Sequence, residues 1–556
     1  MKFQMKKIKK IEILILFLIV FFGGAVRFYH LNQSPPSLNW DEASLGYDSY
    51  SILKTGKDQY GKTLPIAFRS FDDYKPPAYV YLSVPFIKIL GPSPLAVRFL
   101  SALVGTLTII VVYLISRKIF DGHQKVSEIS LLSSFLLAIS PWHLTISRPA
   151  FEANVGLFFF LFGILFLLYT RKNDYYFFLS FFFFALSLYS YHSYRIIVPF
   201  FLFLYLIFYI KEIIKSNTIK TVVVAFLFLF ILCLPLIKIF FSIQGLARLE
   251  SAGLQTLGSQ GAFSNLFFYQ YPVLLFFQKI FYLSWEIFGR FFGYFSPANL
   301  FFRGDNQPCH SIPNFSPFFF WLFPFWIIGI NELIKNVKIK ETKIIILWCL
   351  ASPIASSVTR DWFALVRTLP VFVAYNIVIS LGITTVFSLF KKRLGRLCYI
   401  CLTLLICFIF FQIIFLLETV FIYLPKAKSG DWQYGFEETV HFVAKIKNEY
   451  ERIIVDSGHA QPFIFFLFYE PYPPEIYQKQ VPLMANPQAP RKIFDFGPYY
   501  FRNIYWPKDR ALTKTLFVGS EYSLPKDDIL NTPGAEILSD FYDPSGNITF
   551  RIVGKK

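Results

Sequence analysis

Residues 11–28 read IEILILFLIVFFGGAVRF, and Lys2, Lys6, Lys7, Lys9 and Lys10 stand in front of them. An apolar run of that length is what a helix needs to cross a bilayer. It is longer than the apolar core of an ordinary secretory signal. Asn39-Trp40-Asp41-Glu42 follows soon after. The run therefore reads as a retained first membrane helix with its lysines on the cytoplasmic side, and the acidic pair opens an outer segment.

Outward from this stretch, further apolar runs lie at 95–116, 127–142, 150–170, 175–191, 195–210, 219–241, 316–334, 342–358, 367–390 and 396–423. With the first run they predict a polytopic α-helical membrane protein of about 11 transmembrane helices. Basic residues fall between runs, at Arg117/Lys118/Lys125, Arg171/Lys172, Lys211/Lys215/Lys220, Lys335/Lys338/Lys340/Lys343 and Lys391/Lys392/Arg393/Arg396. With the N-terminus inside, every one of these loops lands inside, as the positive-inside rule requires.

Composition agrees. The 556 residues are 55% hydrophobic, 20% aromatic and 16% charged, with a mean hydropathy of +0.49. Soluble domains run nearer a quarter charged, so a single soluble enzyme and a disordered chain are both excluded. A net charge of +19 could point to nucleic acid, but residues 424–556 hold 16 bases and 16 acids, while 1–423 hold 38 and 19. The excess is a matter of topology; membrane lipids are expected around the chain, and no nucleic acid. Cys398-x-x-Cys401 lies with Cys407 inside an apolar run and reads as buried small hydrophobes, not a zinc or redox pair.

Three segments fall outside the membrane: a first loop at 29–94, a second at 242–315 and the C-terminal region 424–556. The aromatic stretch 265–292 reads either as an interfacial helix or as an extra pair of spans. In the C-terminal region a helical pattern at 436–450 and strand patterns at 452–456, 515–519 and 548–553 predict a small extracytoplasmic α/β domain. Its balanced charge suits an accessory module.

Charged groups gathered at one face of a membrane bundle need a reason. Here Asp41 and Glu42 are joined by Phe71-Asp72-Asp73-Tyr74-Lys75-Pro76-Pro77 in the first loop, and by Ser147-Arg148-Pro-Ala-Phe-Glu152 opening the fourth run. Tyr191-His192-Ser-Tyr194-Arg195 and Thr359-Arg360-Asp361-Trp362, with Arg367, complete the outer set. Aromatic belts explain the Tyr and Trp but not Arg195 and Arg367. A plain i, i+4 salt bridge would account for Arg148 and Glu152. Together the clusters offer carboxylates for a general base and cations for a phosphate. No nucleotide-binding fingerprint appears, so the energy for any reaction arrives with the substrate.

Asp41-Glu42 after the first helix, Lys75-Pro76-Pro77 ending the first loop, and Ser147-Arg148-x-x-x-Glu152 resemble the GT-C glycosyltransferases. The closest group is glycosyltransferase family 39, of the protein O-mannosyltransferase and aminoarabinose lipid A transferase type. The resemblance covers residues 1 to about 423. It implies a GT-C-like transmembrane catalytic domain at 1–423, with 424–556 as the outer domain. It also implies transfer of a sugar from a polyprenyl-phosphate donor to an acceptor hydroxyl on the outer face of the cell membrane, with inversion. The acceptor is a glycan, a lipid or a protein. Asp41 matches the catalytic carboxylate, with Glu42 and Glu152 as further acidic candidates; Glu152 stands where many relatives carry Asp. Lys75 matches the residue that meets the carrier phosphate, with Arg148, His192, Arg195 and Arg367 as further binding candidates. These residues call for no cofactor and leave room for a divalent cation. A flippase or transporter for lipid-linked sugars is the alternative, as is a polymerase or ligase. The first would place charges deep in several helices, and the second would place its cations late in the chain.

Overall fold

The computed structural model describes residues 9–71, 73–170, 172–215, 218–240, 272–336, 340–359, 361–394, 397–458, 461–480 and 494–556. Asp72, Arg171, Lys338, Arg360, Arg396 and all of 242–271, which the sequence reading touches, lie outside them. The first half of the chain forms α1 (Lys10–Phe28), α2 (Trp40–Thr55), the hairpin β1 (Phe68–Ser70) and β2 (Asp73–Lys75), α3 (Ala78–Leu90), α4 (Pro94–Ile119), α5 (Val126–Ala138), α6 (Pro141–Ser147), α7 (Glu152–Tyr169), α8 (Tyr176–Leu188), α9 (Tyr194–Lys215) and α10 (Ile219–Phe240). Then come α11 (Pro272–Gly293), α12 (Phe323–Lys335), α13 (Lys340–Ala351), α14 (Leu369–Leu394) and α15 (Leu397–Glu418). The C-terminal region adds α16 (Phe436–Ile446), β3 (Arg452–Val455), α17 (Pro462–Tyr469), α18 (Pro474–Gln480), β4 (Tyr499–Phe501), β5 (Thr515–Gly519), β6 (Ala535–Tyr542) and β7 (Ile548–Lys555).

Every expected apolar run is helical. Among the described residues, seven helices are long and apolar enough to cross a membrane, or eight if α5 and α6, bent by 57° at their junction, form one span. Helices α8, α12 and α13 have only 13, 13 and 12 residues, short of the roughly 20 that a hydrocarbon core takes. The stretch expected as an interfacial helix or a pair of spans is, in its described part, the single helix α11. It exposes Phe281, Trp285, Phe288 and Phe292 along one stripe and buries Arg290 under the Trp362 ring. Cys401 and Cys407 correct the expectation of burial: both sit on the exposed apolar surface of α15.

The chain divides into two compact units. One holds 1–29, 101–147 and 151–416; the other holds 30–100, 148–150 and 417–556. In the first, α12 and α14 touch backbone to backbone because Gly329 faces the Val378 carbonyl and Gly382 the Phe325 carbonyl, where no Cβ fits. Glu12 of α1, buried in an apolar run, takes hydrogen bonds from Tyr113 Oη (2.6 Å) and Arg117 Nη1 (2.5 Å). Arg27, at the other end of α1, serves the break between α5 and α6. Its guanidinium donates to the Leu137 and Ala138 carbonyls that the bend frees from the helix ladder, each at 3.2 Å. It lies 2.7 Å from His143 Nδ1.

The second unit is built on a five-stranded sheet in the order β4-β3-β5-β7-β6, parallel across the first three strands and antiparallel after them. Ile454, Trp506, Phe517, Leu524 and Val553 form its core. Helix α17, PFIFFLFY, is buried at every residue. Part of its cover is α2, where Gly46 presses against the Phe468 ring and Val97 with no room for a Cβ. Tyr47 Oη donates to the Tyr472 carbonyl (3.0 Å), and Gln478 Nε2 reaches Ser51 Oγ, Thr55 Oγ1 and the Asp58 carbonyl at 2.9–3.0 Å. The C-terminal region is therefore not an accessory module but the bed on which α2 lies.

One buried ion pair fixes where α2 begins. Arg98 in α4 is fully buried and uses all five of its N–H donors. Nε and Nη2 each reach Glu42 at 2.9 Å, Nη1 reaches the Leu31 (3.1 Å) and Pro35 (2.8 Å) carbonyls, and Nη2 also reaches the Ser37 carbonyl (2.5 Å). Removing one partner of such a pair costs about 3–5 kcal/mol. Arg98→Leu is expected to lower the unfolding temperature of the purified protein by several degrees and to abolish activity; an unchanged melting temperature would show that the pair is not the anchor.

Candidate active site

Asn39 caps α2. Its Oδ1 accepts the Glu42 N–H (2.9 Å), and Glu42 Oε2 accepts the Asn39 N–H (3.1 Å), a reciprocal capping box. Asp41 and Glu42 are thus neighbouring first-turn helical residues. They diverge, because neighbours on a helix are rotated by about 100°. Glu42 points inward, 1% exposed, and its remaining capacity goes to Arg98 and to the Ala150 N–H (2.8 Å). The expectation that Glu42 shares in catalysis is corrected: its four acceptor positions are filled by the scaffold.

Asp41 points outward, its side chain 54% exposed, and the positive end of α2 favours its charge. Lys75 Nζ sits 2.7 Å from Asp41 Oδ1 and 3.3 Å from the Asp41 carbonyl. The β1–β2 hairpin delivers that lysine, with Phe68 opposite Lys75 and Ser70 opposite Asp73. Ser70 Oγ lies 3.3 Å from Ser44 Oγ of α2. Beyond Lys75, Pro76 and Pro77 hold the backbone as it turns into α3. The lysine stem is buried, with 11% of its side chain exposed, and its ammonium is held at Asp41.

Asp48, two turns along α2 from Asp41, is buried and accepts the Gln59 N–H (3.0 Å) and Nε2 (3.2 Å). Burial, then the nearby Asp58, holds its carboxyl well above the usual range, while Lys75 acts in the opposite direction. Gln59 Oε1 is buried and has no hydrogen-bond partner among the described residues. A carboxyl held above its unfolded value binds its proton more tightly when folded. Its stabilising effect is full at low pH and is lost as pH climbs from about 4 through the native value. Asp48→Asn keeps the shape and offers Gln59 Oε1 a donor. The variant is expected to melt higher than wild type at pH 7 and to show a flatter profile of melting temperature against pH. A profile that follows wild type throughout would refute the account.

The remaining candidates divide between the units. Arg148 lies in the turn before α7, not on that helix with Glu152; it is 2% exposed. It donates through Nε (3.0 Å) and Nη2 (2.6 Å) to the Ser34 carbonyl, reaches the His30 carbonyl at 3.2 Å and packs over Phe421. Its role beside Asp41 is to hold 30–34 in place. In the other unit Glu152 opens α7, Arg195 Nη1 lies 3.2 Å from His192 Nδ1, and Arg367 Nη1 lies 2.7 Å from both Asp361 Oδ2 and Thr359 Oγ1. Arg98 escaped sequence reading because it stands inside an apolar run; a lone arginine there was the available signal. Among the described residues, no three His, Cys, Asp or Glu side chains are grouped to hold a metal ion.

Residues 74–236 match the family model of the dolichyl-phosphate-mannose-protein mannosyltransferases. No curated protein matches the chain. Among solved structures, ArnT from Cupriavidus metallidurans in its apo state is 10% identical with a TM-score of 0.51, covering 98% of this chain and 96% of that one. ArnT bound to undecaprenyl phosphate gives 12% and 0.51, over 98% and 97%. The oligosaccharyltransferase of Archaeoglobus fulgidus, tethered with an acceptor peptide, is 16% identical with a TM-score of 0.48, covering 83% of this chain. The chain spans 63% of that archaeal protein's length. At these identities the likeness is one of fold.

Proposed function

We propose that this chain, a multi-pass membrane protein with the GT-C glycosyltransferase fold, transfers a sugar from a polyprenyl-phosphate carrier to an acceptor hydroxyl. The observation that carries the reading is the Asp41–Lys75 pair: an exposed carboxylate at a helix start, 2.7 Å from a lysine with a buried stem. The match of 74–236 to a lipid-phosphate-sugar transferase family, and ArnT's hold on undecaprenyl phosphate, support the donor class.

At rest each charge satisfies the other. A donor phosphate competes for Lys75 and leaves Asp41 free as an acceptor of protons. Asp41 then takes the proton of the acceptor hydroxyl as its oxygen attacks the anomeric carbon. The new carbon–oxygen bond forms on one face while the bond to the phosphate oxygen breaks on the other, so the sugar inverts. The departing lipid phosphate needs no proton, because Lys75 balances its charge. No cofactor enters this scheme; a divalent cation at the phosphate is compatible with it.

The test is turnover of purified variants against a polyprenyl-phosphate sugar. Asp41→Asn is expected to bind donor and lose about 10²–10⁴ in rate. Lys75→Ala is expected to weaken donor use about tenfold or more, the worth of one charge-assisted contact. Near-normal turnover in Asp41→Asn, or unchanged donor affinity in Lys75→Ala, refutes the assignment of that residue.

The same reading sets the orientation: N-terminus and basic loops cytoplasmic, 29–94 and 424–556 outside. In intact cells a membrane-impermeant thiol reagent is expected to label a cysteine placed beside Lys526 and to spare one beside Lys392. The reverse pattern overturns the orientation.

A further inference from the structure

The sheet of the outer unit has a feature that the transfer scheme does not use. From β3 the chain crosses to β4 on one side, then returns past β3 to β5 on the other, so β3 is where the winding reverses. In open parallel sheets such a reversal sends the crossover helices to opposite faces and leaves a crevice beyond the carboxyl ends of the strands. Three loops meet at that edge: Asp456-Ser457-Gly458 after β3, Arg502-Asn503-Ile504-Tyr505 after β4 and Ser520-Glu521-Tyr522-Ser523 after β5.

These loops are tied into one surface. Ser457 N–H donates to the Arg502 carbonyl (3.3 Å), and Ser457 Oγ to Asn503 Oδ1 (2.6 Å). Gly519, ending β5, leaves no room for a Cβ beneath Ser523, and Ile504 Cδ1 lies 3.3 Å from where one would stand. Arg502 is fixed by two hydrogen bonds to Asp509, at 3.0 and 2.8 Å. The same loops carry two aromatic rings left in water: Tyr505 is 66% exposed and Tyr522 is 87% exposed. They belong to loops two strand spacings apart, about 10 Å, a span longer than one sugar ring. The edge also adjoins the catalytic hairpin. Phe463, in the first turn of α17, meets the Phe501 ring at the end of β4 (6.3 Å) and the Phe71 ring at the hairpin turn (5.9 Å). Lys75 is four residues from Phe71.

We infer that these three loops form a binding crevice for an oligosaccharide, the glycan acceptor, and present it toward the Asp41–Lys75 pair. Sugar rings offer flat C–H faces to aromatic rings and hydroxyl edges to carboxylate, amide and guanidinium groups, and this edge supplies both kinds of partner. The inference rests on the transferase reading for the ligand's role, but binding can be measured with no donor present, so the two can fail separately.

The experiment uses the full chain in lipid nanodiscs, with mannohexaose, maltohexaose, chitohexaose and an uncharged hexapeptide as probes, followed by saturation-transfer NMR and intrinsic fluorescence. At least one hexasaccharide is expected to bind and the peptide is not. Tyr505→Ala and Tyr522→Ala should each weaken binding about fivefold, the scale of one aromatic contact, and the double variant should abolish it. Thermal unfolding should stay at wild-type values in both variants, because neither ring is buried. The inference is overturned if no hexasaccharide binds, if binding ignores both tyrosines, or if the peptide binds through the same residues, which would make the crevice a protein-docking site.

Discussion

The geometry of the candidate site rests on Glu42 and Arg98. A buried ion pair stabilises a fold only when the remaining donors and acceptors are also met. Here they are: five donors of one guanidinium and four acceptor positions of one carboxylate are matched among Leu31, Pro35, Ser37, Asn39, Ala150 and each other. The pair gathers the chain leaving α1, the start of α2 and the turn before α7 at one point. Asp41 is the residue beside this anchor. It inherits a fixed position without giving up its own oxygens to maintain it.

That division of labour between adjacent acids recurs with the cations. Arg98 and Arg148 are buried and bonded to backbone carbonyls, while Lys75 holds its ammonium against Asp41 at the end of a confined stem. Arginine suits the first task because its planar fork satisfies several oxygens at once. Lysine suits the second because a compact charge can change partners. On the proposed reading, a phosphate enters such a site by exchange of partners between the carboxylate and the ammonium.

Much of this was legible in the sequence, and what was not has physical causes. Apolar runs of eighteen or more residues identify α1, α4, α7, α10 and α14 because lipid demands uninterrupted apolar length. The same rule treated α2 and α3 as loop. Helix α2, WDEASLGYDSYSILKT, has no apolar period, and its small and polar residues are buried by packing on α17 rather than by lipid. Asp41 and Lys75 were singled out because charge beside a membrane helix is conspicuous. Glu42 stood beside Asp41 as a further acidic candidate, since nothing in the local sequence tells which of two neighbouring acids will meet an arginine 56 residues later. The strands β4 and β6 were missed for similar reasons: one has three residues, and the other is an edge strand of mixed polarity.

The second unit is assembled from three separated pieces of chain, 30–100, 148–150 and 417–556. Helix α2 is made well before the aromatic helix α17 it lies against. Until then Gly46 and Tyr47 have nothing to pack on, and the long sequence separation makes their docking a late event. A chain without α17 therefore leaves Gly46 and Tyr47 without their cover, and the helix that carries Asp41 without its bed.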